Sequence, residues 1–167
     1  MKRKIKMSLF CATFIMMSSV LGNTALAYNT NGYKISSPGS VSFSVSNATY
    51  SSKIETYAKK WNQCSELYLY STSGYVMINA GVSGEDTGNY GTTYHYGNDS
   101  HSIMFYALWQ STTDSKKNET VVHEFGHALG LGHTQTANES ISVMRALGFN
   151  GKAYPLSDDI RGISTIY

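Results

Sequence analysis

The chain contains the run His123-Glu124-Phe125-Gly126-His127-Ala128-Leu129-Gly130-Leu131-Gly132-His133. Three imidazoles and one carboxylate at this spacing can hold a metal ion and set a base beside it. On a helix, His123 and His127 lie four residues apart, so both rings project from one face. Glu124 sits about 100° further round, too far to be a third ligand but close enough to reach a water at the metal. Gly130 has no Cβ and can end the helix in a left-handed turn that sends the chain back. His133 then supplies a third nitrogen. Catalytic zinc usually takes three protein ligands and leaves a fourth position open. The expected chemistry is hydrolysis, with zinc activating a water whose proton passes to Glu124 and then to the departing amine.

The eleven-residue motif resembles the signature of the metzincin zinc endopeptidases, which also carry a methionine-containing turn beneath the metal. Ser142-Val143-Met144-Arg145 is similar to that turn, and the tail from Leu156 to Ile163 resembles the C-terminal helix of the matrixin branch. Thr134 stands where matrixins usually carry a serine. Astacins and serralysins place a tyrosine two residues after the methionine, where this chain has Ala146, so the matrixin-like branch fits best. Two departures concern the pocket wall. Matrixins usually have proline at the position of Ala146, and the interval from His133 to Met144 is a few residues longer here.

The resemblance implies an α+β fold: a twisted, mostly parallel sheet with an antiparallel edge strand, packed on two long helices, and a C-terminal helix after the methionine turn. It implies a zinc endopeptidase acting on an extended peptide or protein laid along an edge strand, expected at residues 92–96. Residues 145–155 would wall the pocket for the residue after the cut. Met144 would be an apolar floor beneath the imidazoles, and of the pair Asp158 and Asp159 the first is expected to fasten the methionine turn. The family often holds a second, structural zinc with three histidines and an aspartate. Only His95 and His101 are available for it, with Asp86 or Asp99, so hydrogen-bonded or solvated histidines are expected instead. Glu85, Asp86, Asp99 and Asp114 could offer oxygen ligands to calcium, although their spacing resembles no calcium loop.

Two other classes compete with a peptidase. A secreted binding module could keep zinc for stability alone, but structural zinc normally has four protein ligands and no use for Glu124. A zinc amidase could act on non-protein amides.

Lys2, Arg3, Lys4 and Lys6 precede an apolar run from Met7 to about Leu21, and Ala25-Leu26-Ala27 follows. This order is that of a secretory signal peptide over residues 1–27, and the run is short for a membrane anchor. Residues 28–167 suffice for one catalytic domain, expected to be secreted, extracellular and monomeric. Removing residues 1–27 takes away four basic residues and no acidic one, so the formal charge of +2 becomes −2. Nothing in that balance points to nucleic acid. Cys11 leaves with the signal and Cys64 remains alone, so no intramolecular disulfide can form. Cys64 lies outside any recognisable inhibitory motif and reads as a small buried hydrophobe.

The coarse element order is also α+β. Residues 41–45 alternate as a strand, and residues 50–61 read as a helix with Ile54, Tyr57, Ala58 and Trp61 on one face. Strands are expected at 67–70, 75–80 and 102–108, with a short one at 92–96 among loops. The metal motif would occupy a helix over 118–129. Ser157 can cap a last helix whose dipole suits Asp158 and Asp159.

Overall fold

The computed structural model describes residues 28–167, and the export segment expected over residues 1–27 lies outside the described residues. The first strand, β1 (Val41–Val45), buries Val41 and Phe43 completely. Helix α1 (Ser51–Ala58) follows and tightens into a 3-10 turn at Lys59–Gln63, where a single helix was expected to run through Trp61. The apolar face survives the change, because Ile54, Ala58 and Trp61 are all buried. A tertiary bond accompanies the tightening: the Trp61 indole N–H donates to the Val122 carbonyl at 3.0 Å.

Strands β2 (Leu69–Ser71) and β3 (Ile78–Val82) both begin later than their apolar runs suggest. Leu67 is still in a turn, its N–H bonded to the Cys64 carbonyl, and sheet pairing starts only at Leu69 opposite Val41. Then come β4 (Gly91–Gly97) and β5 (Ser100–Phe105). The alternation expected to continue to residue 108 stops at Phe105, because α2 (Ala107–Ser111) turns Trp109 into the core. The Trp109 indole donates to the Lys117 carbonyl at 2.9 Å. Helix α3 (Asp114–Ala128) starts four residues before the expected position. Its first turn is polar and has no apolar period, but Asp114 there suits the helix dipole and pairs with Lys53 at 2.5 Å. The last element is α4 (Ser157–Ile166), whose cap is Leu156 and not Ser157. The Asp159 carboxylate serves the cap by accepting the Leu156 N–H at 2.7 Å.

Among the described residues, five strands form one sheet in the order β2-β1-β3-β5-β4. All neighbours are parallel except β4, which runs antiparallel to β5 on the edge, with Gly91 opposite Phe105. Helices α1 and α3 pack on the sheet and on each other, and Phe43 meets Phe125 edge-on at 5.3 Å. The buried side of α3, with Val121, Val122 and Phe125, fixes its rotation. His123 and His127 therefore face a cleft that runs beside β4. No helix among the described residues is long and apolar enough to cross a membrane.

Candidate metal centre and cleft

Helix α3 delivers His123, Glu124 and His127, and its end delivers His133. Gly130 takes φ +100°, and a Cβ there would lie 2.5 Å from the Tyr33 carbonyl oxygen. The Gly130 N–H bonds to the His127 carbonyl and the Leu131 N–H to the Gly126 carbonyl, both at 3.0 Å. This pair of bonds is the Schellman arrangement, and it turns the chain sharply enough to bring His133 back.

The ligand atoms of His123, His127 and His133 all lie within 4.8 Å of one another. Nδ1 of His123 is 2.9 Å from the Val143 carbonyl, and Nδ1 of His127 is 2.8 Å from the Leu131 carbonyl. A carbonyl can only accept, so both Nδ1 atoms carry hydrogen. The two Nε2 atoms, 3.0 Å apart, then turn lone pairs toward each other. That is unfavourable unless a cation lies between them. Three imidazole nitrogens suit zinc, whereas calcium and magnesium take oxygen. Burial pushes the His123 and His127 imidazoliums down to about 4, so both rings are neutral near pH 7. Burial also lowers His133, the exposed member of the three.

Glu124 is buried and lines the same cleft of about 670 Å³ as the histidines. Its carboxylate is 2.7 Å from the Thr93 hydroxyl of β4. Burial raises its pKa above the ordinary glutamate value, and the neighbouring His127 and the Thr93 bond oppose the rise. The edge strand comes very close here: a Cβ on Gly91 would lie 2.8 Å from Cγ of Glu124.

Met144 is buried and packs on α3 at Gly126, between the first two histidines, where an added Cβ would collide with its sulfur. The carboxylate that fastens this turn is Asp159, and this corrects the expectation for Asp158. Asp159 accepts the Ser142 hydroxyl at 2.5 Å and the Val143 N–H at 2.8 Å. Asp158 instead accepts the Thr134 hydroxyl at 2.7 Å and meets Arg161 at 3.2 Å. The Thr134 N–H in turn donates to the Met144 carbonyl at 2.7 Å, so Asp158 reaches the turn through the residue after His133. Helix rotation decides between the two acids, since adjacent helical residues point about 100° apart.

Sequence reasoning missed the segment before β1. Asn31 donates its amide to the His127 carbonyl at 2.7 Å and approaches the Leu131 carbonyl at 3.3 Å. Asn29 donates to the His133 carbonyl at 2.7 Å. These residues strap the end of α3 to the loop that carries His133. No local pattern could have flagged them, because the contacts span about a hundred positions.

His95 and His101 lie with Nδ1 atoms 3.0 Å apart, and Tyr33 stacks on His95 at 4.2 Å. Neither Asp86 nor Asp99 completes a metal set with them among the described residues. Asp99 accepts the Ser36 N–H at 2.8 Å, and Asp86 the Gly88 N–H at 3.3 Å. The four acids considered for calcium do not converge either; Asp114 is turned to Lys53. Cys64 is buried, and burial raises its thiol to about 12, with the charges of Glu66 and Asp159 adding to the rise.

The same fold occurs in solved structures. Two describe myroilysin, one at 16% identity with TM-score 0.61, covering 84% of this chain and 98% of that one. The other has 21% identity and TM-score 0.57, covering 87% and 96%. A third is the GM1-bound form of the ECX AB5 holotoxin, at 14% identity and TM-score 0.63, covering 83% and 85%. No curated protein matches the chain significantly. The family model described as Matrixin matches residues 58–167. The chain belongs to the matrixin family, with the mostly parallel sheet and antiparallel edge of the metzincin fold. It is thereby a zinc-dependent metallopeptidase.

Proposed function

We propose that residues 28–167 are the catalytic domain of a secreted endopeptidase in which His123, His127 and His133 hold one zinc ion and Glu124 is the general base. The observation that carries this is the buried Glu124 carboxylate, lining the cleft of the three histidines and tethered to the edge strand by Thr93. When bound, zinc supplies the Lewis acid that polarises a scissile carbonyl and acidifies water. Glu124 takes the proton of the attacking water and returns it to the departing amine, which leaves a new carboxylate and a new amine. Its raised pKa suits a group that must both accept and release a proton. Substrate lies extended along β4, whose outer backbone edge pairs with no other strand among the described residues, and gains main-chain hydrogen bonds there. Val143, Leu131 and Asn31 hold the histidine rings and their loop in place.

The test is hydrolysis of casein or gelatin by protein recovered from the culture medium. Activity that a chelator abolishes and zinc restores supports the reading, as does a chain beginning at or near Tyr28. Zinc-loaded protein that leaves both substrates intact refutes the peptidase reading in favour of a binding module or an amidase. Intact Met1 on the recovered material refutes export by cleavage.

A further inference from the structure

Glu119 lies on α3 one turn before His123 and is only 3% exposed, and the hydrolytic scheme leaves it without a task. A buried carboxylate is costly unless strong donors meet it. Here both donors come from one loop: the Asn150 N–H reaches Oε1 at 2.8 Å and the Gly151 N–H reaches Oε2 at 2.8 Å. Burial raises the Glu119 pKa, while the loop N–H groups and the Arg145 cation pull it back.

That loop walls the cleft. Between Met144 and α4 the chain has no helix or strand, so little within the loop fixes its shape. Gly151 sits at φ +74°, a left-handed conformation that suits glycine. The Asn150 side chain ties the loop to the Ser142 carbonyl at 2.8 Å. Phe149 meets Tyr90, which precedes the edge strand, with ring centroids 5.0 Å apart. Leu147, Phe149 and Tyr90 all line the cleft that holds the three histidines.

We infer that Glu119 is a specificity-positioning residue: it clamps residues 145–151 against α3, and so sets which substrate side chain fits beside the scissile bond. This rests on the peptidase reading above. The two bonds go to loop backbone and not to metal ligands. Loss of the clamp therefore changes selection and leaves the proton chemistry of Glu124 in place. Binding energy lost equally from substrate and transition state raises KM with kcat unchanged.

The test compares zinc-loaded wild type with Glu119→Gln and Glu119→Ala by cut-site profile in a random peptide library, by KM and kcat on one wild-type peptide, and by zinc content. The amide exchange of Asn150 and Gly151 is measured alongside. In the wild type both amides exchange slowly although they lie in an irregular loop. In Glu119→Ala they exchange faster, the profile broadens at one position beside the cut, and KM rises by about tenfold with kcat within about threefold. Glu119→Gln keeps one good acceptor and falls between, which preserves the test if the alanine variant does not fold. Released amides with an unchanged profile and KM overturn the inference. So does a fall in kcat that tracks zinc loss, which would make Glu119 a support of the metal helix. Fast exchange of both amides in the wild type overturns it without any activity assay. A wild type that cuts no library peptide refutes the peptidase reading itself.

Discussion

Replacing Asp159 should damage the protein more than replacing its neighbour Asp158, and the hydrogen bonds give the margin. Asp159 is buried and accepts from the Ser142 hydroxyl, the Val143 N–H and the Leu156 N–H. In Asp159→Ala the hydroxyl can rotate, but the two backbone donors cannot. A buried donor left without a partner costs about 1–3 kcal/mol. The Val143 N–H is fully buried and the Leu156 N–H partly so, giving roughly 2–5 kcal/mol together. In Asp158→Ala the Thr134 hydroxyl loses its acceptor, at about 1–2 kcal/mol. The Arg161 contact adds little, because the arginine side chain is 59% exposed. For a domain of this size 1 kcal/mol moves Tm by about 4 °C. Asp159→Ala should therefore lower Tm by roughly 8–20 °C and Asp158→Ala by roughly 4–8 °C. The assay is thermal unfolding of zinc-loaded protein followed by circular dichroism, with zinc content measured beside it. Zinc should also be held less tightly in Asp159→Ala, since the Val143 carbonyl orients His123. An equal or larger loss in Asp158→Ala would refute the assignment of Asp159 as the anchor of the methionine turn.

Three further outcomes follow from the site. Asn31→Ala removes the amide that braces the His127 and Leu131 carbonyls, and zinc affinity should fall about 10–100-fold in chelator competition. Unchanged affinity would show that the strap is passive. Gly91→Ala places a methyl 2.8 Å from Cγ of Glu124 and must push the carboxylate aside, so kcat should fall by up to about 10²-fold with little change in KM; wild-type kcat would show that the base does not need this position. Cys64, with its thiol raised to about 12, should resist thiol reagents at pH 8 until the protein unfolds, and Cys64→Ser should keep wild-type activity. Rapid labelling of native protein, or a rise in activity on substitution, would contradict a purely structural thiol.

The sequence makes the metal motif legible because its geometry is local. Spacing of four on a helix puts His123 and His127 on one face, and a glycine at the helix end allows the return to His133. The alternation in residues 41–45 is equally local, and β1 lies there. What was misread depends on distant partners. Trp61 leaves its expected helix, and the strand expected to reach residue 108 ends early where Trp109 turns inward, as both indoles reach carbonyls on α3. Asp158 and Asp159 are chemically identical, and only the packing of α4 turns the second toward the methionine turn. Glu119, Asn29 and Asn31 carry no spacing signal, since each acts on a segment at least thirty positions away.

The central claim is that Glu124 moves the proton while the histidines hold the metal, and Glu124→Gln separates these roles. The variant keeps the side-chain size and touches no candidate ligand, so it should fold and keep the zinc content of the wild type. Without a base, peptide hydrolysis should fall by at least about 10²–10⁴-fold. His133→Ala, measured in parallel, should lose zinc and hydrolysis together. Peptide cleavage by zinc-loaded Glu124→Gln at the wild-type rate would contradict the account.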